Sequence, residues 1–237
     1  MQRVQFRKFK MTRTIGFVAM YSAEVFIAIV GLVGLKRYKQ LALPLKILEW
    51  YIIGSIIDNC LLDVMIYKKI HTYPVSHIFS MFELLLYSCI FYFWRTSKRN
   101  GYLVWMGFAI YLLIWIIGKF TFEPISGWDK YTLPITQLIQ IGFGGWLLLR
   151  MMKETCIVMK EESRFWLLSG IVLYAVATFF IFGLFTPLLL LDQKLLLAIW
   201  PLNDAFLVMQ YIFFLRTFLC KPELISMNLI SSDTVSS

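Results

Sequence analysis

Seven apolar stretches, each long enough to cross a bilayer, constrain this chain more than any other feature: residues 15–35, 44–66, 75–94, 102–120, 131–149, 165–188 and 195–219. A helix needs about 20 apolar residues to traverse a hydrocarbon core roughly 30 Å thick. Within that core every backbone N–H and C=O must find a partner inside the chain, so stretches of this length read as helices. With 59% hydrophobic and 16% charged residues among 237, the composition is that of a membrane protein. The expectation is an all-α, polytopic domain of seven transmembrane helices over residues 15–219. A basic segment, 1–14, precedes it and a polar tail, 220–237, follows. The remaining connections are too short for a soluble catalytic or nucleotide-binding domain.

The net charge of +9 does not point to nucleic acid, because the basic residues are spread over loops between spans. The positive-inside rule accounts for them better. With the N-terminus outside and the C-terminus inside, thirteen of the 23 lysines and arginines face the cytoplasm and ten lie outside, five of them Arg3, Arg7, Lys8, Lys10 and Arg13. A translation start at Met11 would remove four of those five. The expected location is the cytoplasmic (inner) membrane. Cys60, Cys89, Cys156 and Cys220 fall in spans or on the inner side, so no exported disulfide is implied.

Four carboxylates interrupt the apolar stretches: Glu24, Asp58, Glu83 and Asp204. Each lies about nine residues from the assigned outer end, which at 1.5 Å per residue is about 13 Å deep, so all four share one layer near the midplane. No lysine or arginine lies at that depth. An ionised acid at a helix centre costs about 2.5–3.5 kcal/mol even on the lenient insertion scale, so four of them are expected to converge on a shared interior.

Helical spacing puts further polar residues on the same faces. The stripes run through Tyr21, Glu24, Ala28 and Gly31; through Tyr51, Ser55, Asp58 and Asn59; through Ser76, Ser80, Glu83 and Tyr87; and through Asn203, Asp204, Gln210 and Tyr211. Spans five and six add Gln137, Gln140 and Gly144, and Gly170, Tyr174 and Thr178. Span four has no such stripe and is expected to face lipid. The candidate ligand- or proton-binding set is Glu24, Asp58, Asn59, Glu83, Tyr87, Gln140, Asn203 and Asp204. Against it stands the plainer possibility that neutral acids and amides only hydrogen-bond the helices together, at about 0.6 kcal/mol per contact.

Other chemistries find less support. His71 and His77 are the only histidines and face different sides of a helix, so no metal and no cofactor is expected. Serine catalysis would rest on His77 with Ser80, and the sequence lacks HExxH, GxSxG and a phosphate-binding glycine loop. Gly142, Gly144 and Gly145 are expected to serve close helix packing. The charged loop 150–164 reads as a solvated helix extension, with a signalling partner or anionic lipid as the alternative.

Glu83 and Asp204 each precede an Arg-Thr pair by twelve residues, Arg95-Thr96 and Arg216-Thr217. The match raises a 3+1+3 arrangement in which spans three and seven are equivalents. Phe82-Glu83-Leu-Leu-Leu-Tyr87, the basic turn after it, and a sixth span opening on Phe165-Trp166 with Gly170 and Tyr174 resemble small, uncharacterised seven-helix integral membrane proteins of bacteria. The resemblance implies the seven-helix architecture and no activity. Three functional classes stay open: a module responsive to a small molecule, lipid or cation that acts through a separate cytoplasmic partner; a proton- or cation-coupled transporter using Glu83 and Asp204; and an acid/base enzyme on lipids using Asp58 and Glu83.

Overall fold

The computed structural model describes residues 2–95, 98–127, 129–154, 161–183 and 193–220, with side chains described over 20–95, 99–127, 129–153, 161–183 and 201–220. Seven helices run through them: α1 Gln2–Arg37, α2 Leu43–Tyr67, α3 Tyr73–Phe93, α4 Lys98–Thr121, α5 Thr132–Glu154, α6 Ser163–Gly183 and α7 Gln193–Leu219. A single 3-10 turn, Tyr38–Gln40, joins α1 to α2. Six of the helices are long and apolar enough to cross a membrane. Sequence features at Thr96, Trp128, Cys156 and Pro187, and the tail from residue 221, lie outside the described residues.

Local chemistry sets the helix starts. Pro44 and Pro74 occupy the first turn of α2 and α3, where a missing N–H is harmless. The basic segment expected to precede the first span is itself helical and continuous with it, because no glycine or proline interrupts residues 2–14. α5 continues to Glu154, past the expected end of its span. α7 carries Pro201 inside the helix.

The helices pack in chain order as a closed ring: each touches its sequence neighbours, α7 returns to α1, and α3 also reaches across to α5. The α4–α5 seam is the sparsest of the seven. Lipid offers little hydrophobic drive for association, so close van der Waals contact and polar bonds must supply it. Aromatic rings fill the centre. Tyr51 and Tyr87 lie 4.9 Å apart between centroids, Tyr51 meets Phe214 edge-on at 6.2 Å, and Tyr211 meets Phe214 at 5.4 Å.

Several expected faces are corrected. Tyr21 is 53% exposed, so the inner face of α1 runs instead through Ala23, Ile27, Val30, Gly31 and Gly34 with Glu24 at its edge. α4 presents Leu103, Met106, Ile110, Leu113 and Ile117 outward, yet it buries Tyr111 and Lys119, and α2 is no better covered by protein. Of the three glycines expected to pack closely, Gly144 alone does so, against Val172 and Phe91; a Cβ at Gly142 or Gly145 would meet open space. In the alignment of Glu83 with Asp204, Leu84, Tyr87, Ser88 and Phe91 are buried on α3. Their counterparts Ala205, Val208, Met209 and Ile212 are exposed or half-buried on α7, so the two helices bury different faces.

Candidate functional site

Glu83 lies at the centre of the ring, 7% exposed, in the helix that touches three others. Its Oε1 accepts a hydrogen bond from Gln140 Nε2 of α5 at 3.3 Å. Tyr51, Tyr87, Tyr174 and Tyr211, from α2, α3, α6 and α7, all stand within electrostatic reach of its carboxylate. Gln210 Nε2 of α7 donates to the Tyr87 hydroxyl at 3.1 Å, closing a second polar link across the interior.

The other acids form an outward series. Asp58 of α2 stands within electrostatic reach of Glu83. Glu24 of α1 interacts with Asp204 of α7 and with Asp63 of α2, and Asp204 in turn lies near Tyr174. Asp63 is exposed, Glu24, Asp58 and Asp204 are half-buried, and Glu83 is buried. Depth therefore increases from the α1–α2–α7 side toward Glu83. Asn203 is buried beside Tyr174, whereas Asn59 is half-buried at the flank of Asp58.

Two observations separate this region from ordinary helix glue. Several hydroxyls are satisfied within their own helix: Ser55 donates to the Tyr51 carbonyl, Ser80 to Ser76, Thr136 to Thr132 and Thr217 to Phe213, Thr217 also lying 3.5 Å from the Ser163 carbonyl of α6. The interior meanwhile holds unpartnered polar atoms: the side-chain oxygens of Gln137, Gln140, Asn203 and Gln210, and the hydroxyls of Tyr111 and Thr178, are buried with no hydrogen-bond partner. Groups of this kind are normally satisfied, and leaving one unpaired costs about 1–3 kcal/mol.

A second polar cluster, absent from the expected set, caps the bundle between α3, the end of α4 and the α4–α5 loop. Lys119 is buried and its Nζ lies 2.8 Å from His77 Nδ1, 3.0 Å from Glu123 Oε2, 3.0 Å from Thr132 Oγ1 and 3.5 Å from Asp129 Oδ1. With Lys119 donating to Nδ1, the His77 Nε2–H donates to the Gly127 carbonyl at 3.0 Å. Asp129 Oδ2 is 3.2 Å from Nδ1, and Glu123 accepts the Tyr131 and Thr132 backbone N–H groups. Burial works against a charged Asp129, but the neighbouring His77 side chain, the hydrogen bond from the Thr132 hydroxyl and the Lys119 charge outweigh it, holding its carboxyl below the ordinary value. The pairing of His77 with Ser80 is overturned: both imidazole nitrogens are engaged by the cap, and Ser80 bonds to Ser76.

Thr132, Thr136 and Gln140 stand at four-residue intervals on α5, all fully buried, and run from this cap down to Glu83. Tyr111 of α4 lies beside Thr136, within electrostatic reach of Asp129 and Glu83 alike. The signal for the cap was in the sequence as Lys119, Glu123, Asp129 and His77. It is invisible as a pattern because three elements supply it.

Glu49 was also passed over. It is fully buried near the opposite end of α2, with neither oxygen partnered, against Gly34 of α1 and Phe218 of α7. A Cβ at Gly34 would overlap its carboxylate, so glycine makes room for it. Acids near a span end are usually solvated, which is why the sequence position carries no alarm.

Chemically, the central arrangement can hold a proton or a hydrogen-bond-donating cation, because a buried acid and unpartnered amide oxygens meet there. Ion pairs among the described residues fall elsewhere, at Lys119 and between Arg164 and Glu162. No three His, Cys, Asp or Glu side chains among the described residues group as metal ligands. Comparison with protein-family models, with curated proteins and with solved structures gives no match to this chain.

Proposed function

We propose that this membrane protein binds a small cationic ligand, an amine or a proton carrier, at the acidic cluster shared by α1, α2 and α7, and passes the bound state to a separate partner. The observation that carries the reading is the graded series from exposed Asp63 through half-buried Glu24, Asp58 and Asp204 to buried Glu83, ending among acceptors that lack donors. A ligand bearing N–H groups and a positive charge supplies what those groups need. The exposed end of the acidic series, at Asp63, faces outward when the protein sits in the cytoplasmic membrane with its N-terminus outside. The basic connections then face the cytoplasm, where the partner engages them.

The test is thermal stability in lipid nanodiscs against a panel of primary to quaternary amines and across pH. An amine that raises the melting temperature of the wild type, and does so neither for Glu83→Gln nor for Asp204→Asn, supports the reading. Unchanged responses when all four acids are neutralised together sink it.

One observation favours coupled transport as the second reading. The buried α5 rail of Thr132, Thr136 and Gln140 reaches Glu83 from the cap, so the acid has polar connections on two sides. A pH-dependent flux of labelled amine into liposomes would select transport over sensing.

A further inference from the structure

The seam between α4 and α5 is the sparsest in the ring. Along it, toward the end where α4 begins, lies an apolar groove of about 290 Å³ lined by Asn100 and Leu103 of α4 and by Ile139, Gly142, Phe143 and Trp146 of α5. The lining Phe143 ring also packs against Gly107, where a Cβ would come within 2.7 Å of it. Gly142 forms part of the wall, and a Cβ built on it meets nothing within 4 Å. Leu103 and Trp146 face outward beside exposed Met106, Leu138 and Leu149, so the groove opens to the surface that faces lipid. None of the four midplane acids lines it.

One end of the groove is basic. Arg99, exposed, is the first residue of the apolar span of α4, one residue before Asn100. On α5, Arg150 follows Trp146 by one turn and holds its guanidinium 5.9 Å from the indole centroid. Exposed Lys153 lies one turn further on. Arginine and tryptophan at a span end mark headgroup depth, and a guanidinium recognises a phosphate through paired N–H donors.

From this juxtaposition of apolar slot and cationic rim we infer that the groove is a binding site for one anionic phospholipid, its acyl chain lying along Gly142 and Phe143 and its phosphate held by Arg99 and Arg150. The occupant is a lipid of the surrounding leaflet because the slot opens toward lipid and its charge complements phosphate. The site is independent of the acidic cluster and remains if that reading fails.

The experiment uses the full chain in nanodiscs of phosphatidylcholine containing phosphatidylglycerol, followed by detergent extraction and native mass spectrometry of the lipids that stay bound. The wild type retains phosphatidylglycerol over phosphatidylcholine by about tenfold, equivalent to about 1.4 kcal/mol. Gly142→Leu fills the groove from an open position and abolishes retention of both lipids. Gly145→Leu, equally open but outside the lining, leaves retention unchanged. Arg99→Gln combined with Arg150→Gln keeps bound lipid but loses the preference for the anionic headgroup. Circular dichroism confirms that each variant is folded, and the arginine pair tests the headgroup independently of the leucine variants. Equal retention of the two lipids by the wild type, unchanged retention in Gly142→Leu, or a Gly142→Leu defect that is loss of a dimer, overturns the inference.

Discussion

Gln140 Nε2 of α5 lies 3.3 Å from Glu83 Oε1 of α3, and this bond ties together two helices that are not neighbours in sequence. Its replacement separates the support of the acid from the acid itself. Gln140→Leu leaves Glu83 without a side-chain donor in a buried position and is expected to destabilise by about 1–3 kcal/mol. Glu83→Gln keeps the shape while removing the charge, so its stability stays near that of the wild type while the amine response is lost. Thermal unfolding of both variants in the same nanodiscs measures the difference. A Glu83→Gln variant that still responds to amines places the ligand elsewhere.

The cap depends on its single lysine. Lys119→Met leaves Glu123 and Asp129 buried without a cation, and removing one partner of a buried pair costs about 3–5 kcal/mol. Lys119→Met combined with Glu123→Gln and Asp129→Asn removes the stranded charges and recovers part of that loss. Equilibrium unfolding of the single and triple variants checks it: no recovery in the triple variant means that the ammonium acts by packing and not by charge.

Asp129 makes the cap sensitive to acid. Its carboxyl is held below the ordinary value, burial opposing and the His77, Thr132 and Lys119 interactions prevailing. A lowered native value means that the stability it contributes is fully present above the unfolded value, about 3.9, and is lost as pH falls through the native one. The melting temperature of the wild type therefore drops below about pH 4, whereas Asp129→Asn starts lower and is flatter over that range. Parallel curves for the two proteins would remove Asp129 from the acid response.

Gly34 and Glu49 form a notch and its filling. Gly34→Ala drives a methyl group into the Glu49 carboxylate and the Phe218 ring, an overpacking expected to cost about 1–3 kcal/mol. Glu49→Ala vacates the space, so the double variant is more stable than Gly34→Ala alone. Additive losses in the double variant, read by thermal unfolding, would show that the two positions do not share that space.

Gly142→Leu separates lipid from ligand. Its expected loss of bound phospholipid leaves the amine response at Glu83 intact, because the groove and the acid share no lining residue. Native mass spectrometry and thermal shift on one preparation read the two effects side by side, and a variant that loses both would join what the fold keeps apart.

What the residues alone determined is the architecture and the oddity within it. Apolar length forces helices in lipid, so seven helices were legible, six of them long and apolar enough to cross a membrane, and depth singled out Glu24, Asp58, Glu83 and Asp204 because acids at the midplane are costly. Helical spacing also placed Tyr87, Gln140 and Asn203 on inward faces, since a single helix fixes its own stripes. Tertiary packing decided which stripes meet. It buried Glu83 under Gln140 and four tyrosines while leaving Asp58, Glu24 and Asp204 half-buried, turned Tyr21 outward, and drew Lys119, His77, Glu123 and Asp129 from three elements into one cap. It also opened the groove beside Gly142, which a glycine-rich run could equally have closed. The physical reason is that periodicity and hydropathy are properties of one helix, whereas burial, pairing and empty space belong to several helices at once and follow from how the ring closes.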